Sequence, residues 1–195
     1  MKIVFSFLFT IFLPIYLNAQ SADEKLLFDK MAVISNNFYE ILNDDKNNAQ
    51  MRRDKIIKEV IHLFDFKLMA RLSLDKNIRH SISKEQYKEF TDVFEDYIKD
   101  FYLDRIDLLK GTSSNVKEST KNNKNRIFVK ATVDSDTGST LIVYKFYKNK
   151  ENKWFIYDLE IANVSILQSY RAQFSSYLSE HSFDELLIKL KKQAW

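Results

Sequence analysis

Few side chains in this sequence are of the types that make and break bonds near neutral pH, and their spacing limits what they can do. The three histidines, His62, His80 and His181, lie too far apart in sequence to share one turn of helix. A metal site needs a clustered set of ligands, so His62, beside an apolar helical stripe, reads as a packed or surface residue. Cys is absent, which excludes disulfides, thiolate metal sites, cysteine nucleophiles and a lipoprotein anchor cysteine. Only two glycines occur, Gly111 and Gly138. At that separation they build neither a phosphate-cradling loop nor a nucleophile elbow. Asp158 and Tyr170 are the groups that would serve proton transfer if a cavity enclosed them. No catalytic residue, cofactor or metal ligand is assigned from these patterns.

The elements that must position any site begin after a leader-like segment. Lys2 is followed by the apolar run Ile3 to Leu13, then Pro14, and Ala19 offers a small residue for cleavage. A short positive region, an apolar run too short to span a bilayer and a small terminal residue are the parts of a secretory signal. Residues 1–19 are therefore expected to be a signal peptide and 20–195 one exported domain. Without Lys2 the balance is 29 basic against 27 acidic residues, which gives no general drive toward nucleic acid. Lacking disulfides, the exported domain must rely on its core, and 45% hydrophobic residues supply one.

Helical periodicity fills the first two-thirds. Ser21 with Glu24 forms a capping box ahead of Leu27, Met31, Ile34, Phe38, Ile41 and Leu42. A second helix from about Gln50 carries Ile56, Ile57, Val60, Ile61 and Phe64. A short one carries Met69 and Leu72. Ser83 with Gln86 caps a long helix whose stripe is Tyr87, Phe90, Phe94, Tyr97, Phe101 and Leu108. The polar stretch from Gly111 to Asn125 reads as a turn or a frayed strand. Three strands follow, the first alternating Ile127, Val129, Ala131 and Val133 with Phe128, Lys130 and Thr132. Asp136-Thr137-Gly138 turns into Thr140 to Tyr147, and a second polar turn leads to Trp154 to Ile161. Ser165 with Gln168, and Ser182 with Glu185, open two closing helices. The expected class is α+β: a single domain with an antiparallel twisted sheet and several helices packed on one face.

Two local strings carry more information than their neighbours. Residues 64–71 read Phe-Asp-Phe-Lys-Leu-Met-Ala-Arg, a helix-to-helix corner in which Asp65 is the expected N-cap and Phe64 and Phe66 enter the core. The second is Trp154, Ile156, Tyr157 and Asp158, then Val164-Ser165, then Tyr170, Arg171, Gln173 and Phe174, an aromatic strand feeding a capped helix, with Arg171 and Asp158 a possible ion pair. Together with Ile78-Arg79 and Ser83, Gln86 and Phe90, these strings resemble the MlaC family of periplasmic phospholipid carriers (the toluene-tolerance proteins) in order and spacing over nearly the whole mature chain. Ile78 stands where that family usually has Trp, and Asp75 where it usually has Gly.

The resemblance implies a non-enzymatic carrier with an apolar cavity and phospholipid as cargo rather than cofactor. It also implies passing partners: an inner-membrane transporter complex with an MCE domain and an ABC ATPase, and an outer-membrane lipoprotein complex. Transport between the two would maintain outer-membrane lipid asymmetry. A wet phospholipid with about 28 methylenes costs on the order of 20 kcal/mol at ~0.8 kcal/mol each, so a carrier must hide most of that surface. The candidate lining residues are Phe94, Tyr97, Phe101, Val143, Ile156, Leu159, Val164, Tyr170 and Phe174. Plain core packing explains the same stripes, and the pleat parity of the strands is open at this level. Two other classes remain, a small cone-shaped α+β enzyme acting on an apolar substrate and a protein-binding module.

Overall fold

All four helix starts read from Ser-x-x-Glu/Gln spacing are used. In the computed structural model, which describes residues 20–194, the Ser21, Ser83, Ser165 and Ser182 side chains each accept from the backbone N–H three residues on. Three of these are full capping boxes, returned by Glu24, Gln86 and Glu185. The expected signal peptide, residues 1–19, lies outside the described residues.

The helices are α1 (Ala22–Asn43), α2 (Ala49–Val60), α3 (Phe66–Ser73), α4 (Lys76–Ser81), α5 (Lys84–Leu103), α6 (Ile166–Tyr177) and α7 (Phe183–Lys191). Single turns of 3-10 helix follow α2 and α5. The strands are β1 (Ser113–Asn123), β2 (Arg126–Ser135), β3 (Gly138–Lys148), β4 (Trp154–Ile161) and the short β5 (Val164–Ser165), in the meander order β1-β2-β3-β4-β5 with every pair antiparallel. This is the expected α+β class. Two details differ. The polar stretch after Gly111 is an eleven-residue strand with two irregularities in its ladder to β2, between Val116 and Glu118 and between Lys121 and Asn123; it lacks apolar alternation because β1 is the sheet edge and most of it faces water. The α5 stripe stops at Leu103, and Leu108 is 78% exposed on the 3-10 turn beyond it.

Pairing register decides which side chains meet the helices. On β3, Ile142, Tyr144 and Phe146 lie opposite Ala131, Val129 and Ile127 of β2 and Ile161, Leu159 and Ile156 of β4. That face is apolar throughout and packs against α1 through Leu27 and Met31. The alternate residues, Val143, Lys145 and Tyr147, share the other face with Lys130, Phe128 and Arg126. A bulge at Tyr157 adds one residue to β4 between Ile156 and Asp158, which keeps both Ile156 and Leu159 on the apolar face.

The interior is divided. An aromatic core of Phe90, Phe94, Tyr170, Phe174 and Leu186 joins α5, α6 and α7, with α3 laid against it. A second packs the sheet against α1. A third joins Leu42, Ile56, Leu103 and Ile106 at the far end of α1 and α2.

Candidate functional site

Where these three cores meet they are bridged by the half-buried Val60, Phe64 and Leu159, and a cavity of about 270 Å³ remains. Helix α1 contributes Met31, Ile34, Ser35, Phe38 and Tyr39, and α2 contributes Ile56, Ile57 and Val60. The α2–α3 corner adds Ile61, Leu63, Phe64, Phe66 and Met69. From α5 and its following turn come Ile98, Lys99, Tyr102, Leu103, Ile106 and Leu109. The floor is the apolar sheet face, with Ser114, Val133, Ile142, Tyr144, Ile156 and Leu159, and Ile166 of α6 closes one side.

The corner that brings α3 to this wall is fixed by Asp65. Its backbone N–H donates to the Ile156 carbonyl at 3.0 Å, and its carboxylate caps α3 by accepting from the Leu68 N–H at 2.9 Å. The second carboxylate oxygen accepts from the Tyr147 hydroxyl. The expected N-cap role holds. Phe66 is buried in the core, while Phe64 is half-buried on the cavity wall and stacks on Phe66 at 5.6 Å.

Polar atoms on the wall are few. No His, Asp or Glu contributes to it. Tyr39 accepts a hydrogen bond from Thr112 at 3.2 Å, and the Ser114 hydroxyl is buried without a partner. Lys99 pairs with Glu95 on its own helix and lies 5.4 Å over the Phe66 ring, so its charge is held at the rim. Tyr144 sits deep in the molecule but keeps accessible surface, which faces the cavity. Burial, with Tyr39 nearby, pushes its phenol up to about 12. Such a wall removes apolar surface from water and offers a ligand almost nothing to titrate or attack.

A second, open pocket of about 410 Å³ adjoins the first. Tyr97, Phe101, Ser169, Tyr170 and Gln173 line it, together with Ile161 and Val164, which are 36% and 59% exposed. Tyr102 and Ile166 belong to both walls.

The nine sequence-selected lining residues are thus dispersed. Ile156 and Leu159 lie on the first cavity. Tyr97, Phe101, Val164 and Tyr170 lie on the open pocket. Phe94 and Phe174 line neither; both are fully buried in the aromatic core, 6.2 Å apart edge to face. Val143 is on the opposite face of β3 from Ile142 and Tyr144, so it points away from the cavity. The α1 and α2 residues that form much of the wall were visible only as apolar stripes.

The suggested Arg171–Asp158 pair is corrected. Arg171 pairs with Asp75. Asp158 is buried and accepts from Lys145 at 3.0 Å, from the Ser165 hydroxyl at 2.7 Å and from the Leu167 N–H at 3.2 Å at the start of α6. Burial works against the Lys145 ammonium, yet hydrogen bonds to Glu160 and Asp158 outweigh it and raise its pKa. This network ties β3 and β4 to α6 and does not reach the first cavity. Among the described residues no group of three or more His, Asp or Glu could hold a metal ion, and no helix is long and apolar enough to cross a membrane.

Comparison with family models matches residues 33–192 to the family described as MlaC protein. No curated protein matches the sequence. Among solved structures, the fold is similar to the phospholipid-binding protein from Ralstonia solanacearum in complex with a phospholipid. The TM-score is 0.71 at 16% identity, over 85% of this chain and 94% of that one.

Proposed function

This chain belongs to the MlaC family, and on that premise we propose that it is a non-enzymatic phospholipid carrier of the Gram-negative periplasm. It takes lipid at one membrane and delivers it at the other, between an outer-membrane lipoprotein complex and an inner-membrane ABC transporter with an MCE domain, and so maintains outer-membrane lipid asymmetry. The observation that carries the reading is the cavity between α1, α2, α3, α5 and the apolar sheet face, whose wall holds no acidic or imidazole side chain.

Acyl methylenes moved from water into that wall gain about 0.8 kcal/mol each. At about 270 Å³ the cavity falls near the lower end of small-ligand pockets. It accepts part of an acyl chain as it stands, and a whole phospholipid requires its lining to repack. Met31 and Met69, unbranched and polarisable, are suited to that. The solved phospholipid complex of the same fold supports the cargo, and the Lys2, Ile3–Leu13, Ala19 leader supports export.

The test is organic extraction of the purified protein followed by mass spectrometry, with uptake from phospholipid vesicles as the second arm. Co-purifying phospholipid is the expected result. Protein that extracts clean and takes up nothing from vesicles refutes the carrier reading.

A further inference from the structure

The first cavity accounts for the tail of an amphiphile but not for its polar end. We propose that the open pocket across Tyr102 and Ile166 binds the phosphate of the lipid whose acyl chain fills the first cavity, through the Tyr97, Tyr102 and Tyr170 hydroxyls on its wall and Arg105 at its edge, stacked on Phe101. This deepens the carrier reading and rests on it.

The first support is adjacency. Tyr102 and Ile166 are the wall common to both spaces, so a ligand passing the Tyr102 ring places its tail among apolar side chains and its head in the open pocket. The second is composition. Of the 26 residues on the first cavity's wall, six carry a polar group (Ser35, Tyr39, Lys99, Tyr102, Ser114 and Tyr144), whereas five of the nine that line the open pocket do: Tyr97, Tyr102, Ser169, Tyr170 and Gln173. The Tyr97 and Tyr170 rings lie edge to face at 5.8 Å, and both phenols share the pocket with that of Tyr102. Burial raises the pKa of all three phenols, so they remain donors across the physiological range.

The third support is charge. Arg105 caps the Phe101 ring at 3.8 Å and donates to the Phe101 carbonyl at 2.7 Å, and its field reaches Tyr97 and Tyr102. Among the described residues no carboxylate pairs with it. The nearby Asp104 and Asp100 are held instead by Arg53. A planar, weakly hydrated cation beside hydroxyl donors is a phosphate-binding arrangement.

The experiment uses the full mature protein and displacement of a fluorescent acyl probe by 1-palmitoyl glycerol 3-phosphate and by 1-palmitoyl glycerol, which share a tail and differ only in the phosphate. Wild type should prefer the phosphate-bearing ligand by roughly tenfold, the scale of one charge-assisted hydrogen bond. In Arg105→Gln, and in the doubly substituted Tyr102→Phe, Tyr170→Phe protein, that ratio should fall toward one. Arg105 is exposed, so its variant keeps the test valid if the double variant melts early. An equal preference in wild type and both variants, or no preference in wild type, overturns the phosphate subsite and leaves the carrier intact. Wild type that binds neither ligand overturns both.

Discussion

Ile142 and Val143 are neighbours on β3 whose side chains point to opposite faces of the sheet, so a carboxylate placed at each in turn asks which face encloses lipid. Ile142 lines the first cavity, surrounded by the apolar faces of β2 and β4. In Ile142→Glu the new carboxyl must take a proton or draw in water. Holding a glutamate neutral at pH 7.4 against an ordinary pKa of about 4.3 costs about 4 kcal/mol, from three pH units at ~1.4 kcal/mol each. Hydration of the cavity is the cheaper route whenever it costs less, so 4 kcal/mol is the upper bound on the charge penalty. That is survivable for a domain with a stability of roughly 5–15 kcal/mol, but either route puts a polar group where a methylene has to sit.

The protein should therefore melt cooperatively at a lowered midpoint and extract with no phospholipid. Its folded-state pKa at that carboxyl is raised, so the penalty is absent below about pH 4.3 and grows by up to ~1.4 kcal/mol per unit as pH rises above it. Val143 is only 5% exposed, between Lys130 and Glu160 of the neighbouring strands. Val143→Glu should lower the melting midpoint while the folded fraction retains its lipid. Phosphorus content per folded protein, read beside circular-dichroism melts, separates the outcomes. Full lipid in folded Ile142→Glu, or an emptied Val143→Glu, refutes the placement of lipid on this face.

Removing Lys145 leaves Asp158 buried with its cation gone; Lys145→Ala should destabilise by about 3–5 kcal/mol, measured by urea unfolding, and a change under 1 kcal/mol would contradict the buried pair. Asp23, Glu24, Asp75 and Glu185 have lowered pKa values, chiefly through hydrogen bonds to Lys148, Ser21, Arg171 and Ser182 respectively. Their contribution is present above the ordinary carboxylate pKa of about 4 and is lost as pH falls through the depressed values. The unfolding midpoint should accordingly drop below about pH 4, and Asp75→Asn should flatten that drop. Edman sequencing of periplasmic protein should start at or near Gln20, and an intact Met1 on membrane-bound protein would contradict the export signal.

Helix boundaries are local events, and the chain states them locally. Ser21, Ser83 and Ser182 each lie three residues ahead of a Glu or Gln that returns the bond, so the start of each helix is legible without knowing where the helix goes. The two-residue hairpin turn between Ser135 and Gly138, and the alternation of Ile127, Val129, Ala131 and Val133, are legible for the same reason. The edge strand β1 was legible only as one of two alternatives, a turn or a frayed strand. A strand with water on most of its surface has no apolar period, and what holds Ser113–Asn123 extended is its ladder to β2.

The site divides along the same line. That Phe94, Tyr97, Phe101, Tyr170 and Phe174 belong inside follows from their spacing, but a stripe reads the same whether it meets other side chains or empty space. Phe94 and Phe174 meet each other, and Tyr97 and Tyr170 line a pocket. The cavity lies where three core clusters, built from segments as distant in sequence as α1 and α6, are bridged by half-buried side chains such as Val60, Phe64 and Leu159, all three of which are on its wall. On β3 the choice between Ile142 and Val143 is one of pleat parity. Both are β-branched and apolar, so composition is silent, and only the pairing register with β2 and β4 turns one toward the cavity and the other away.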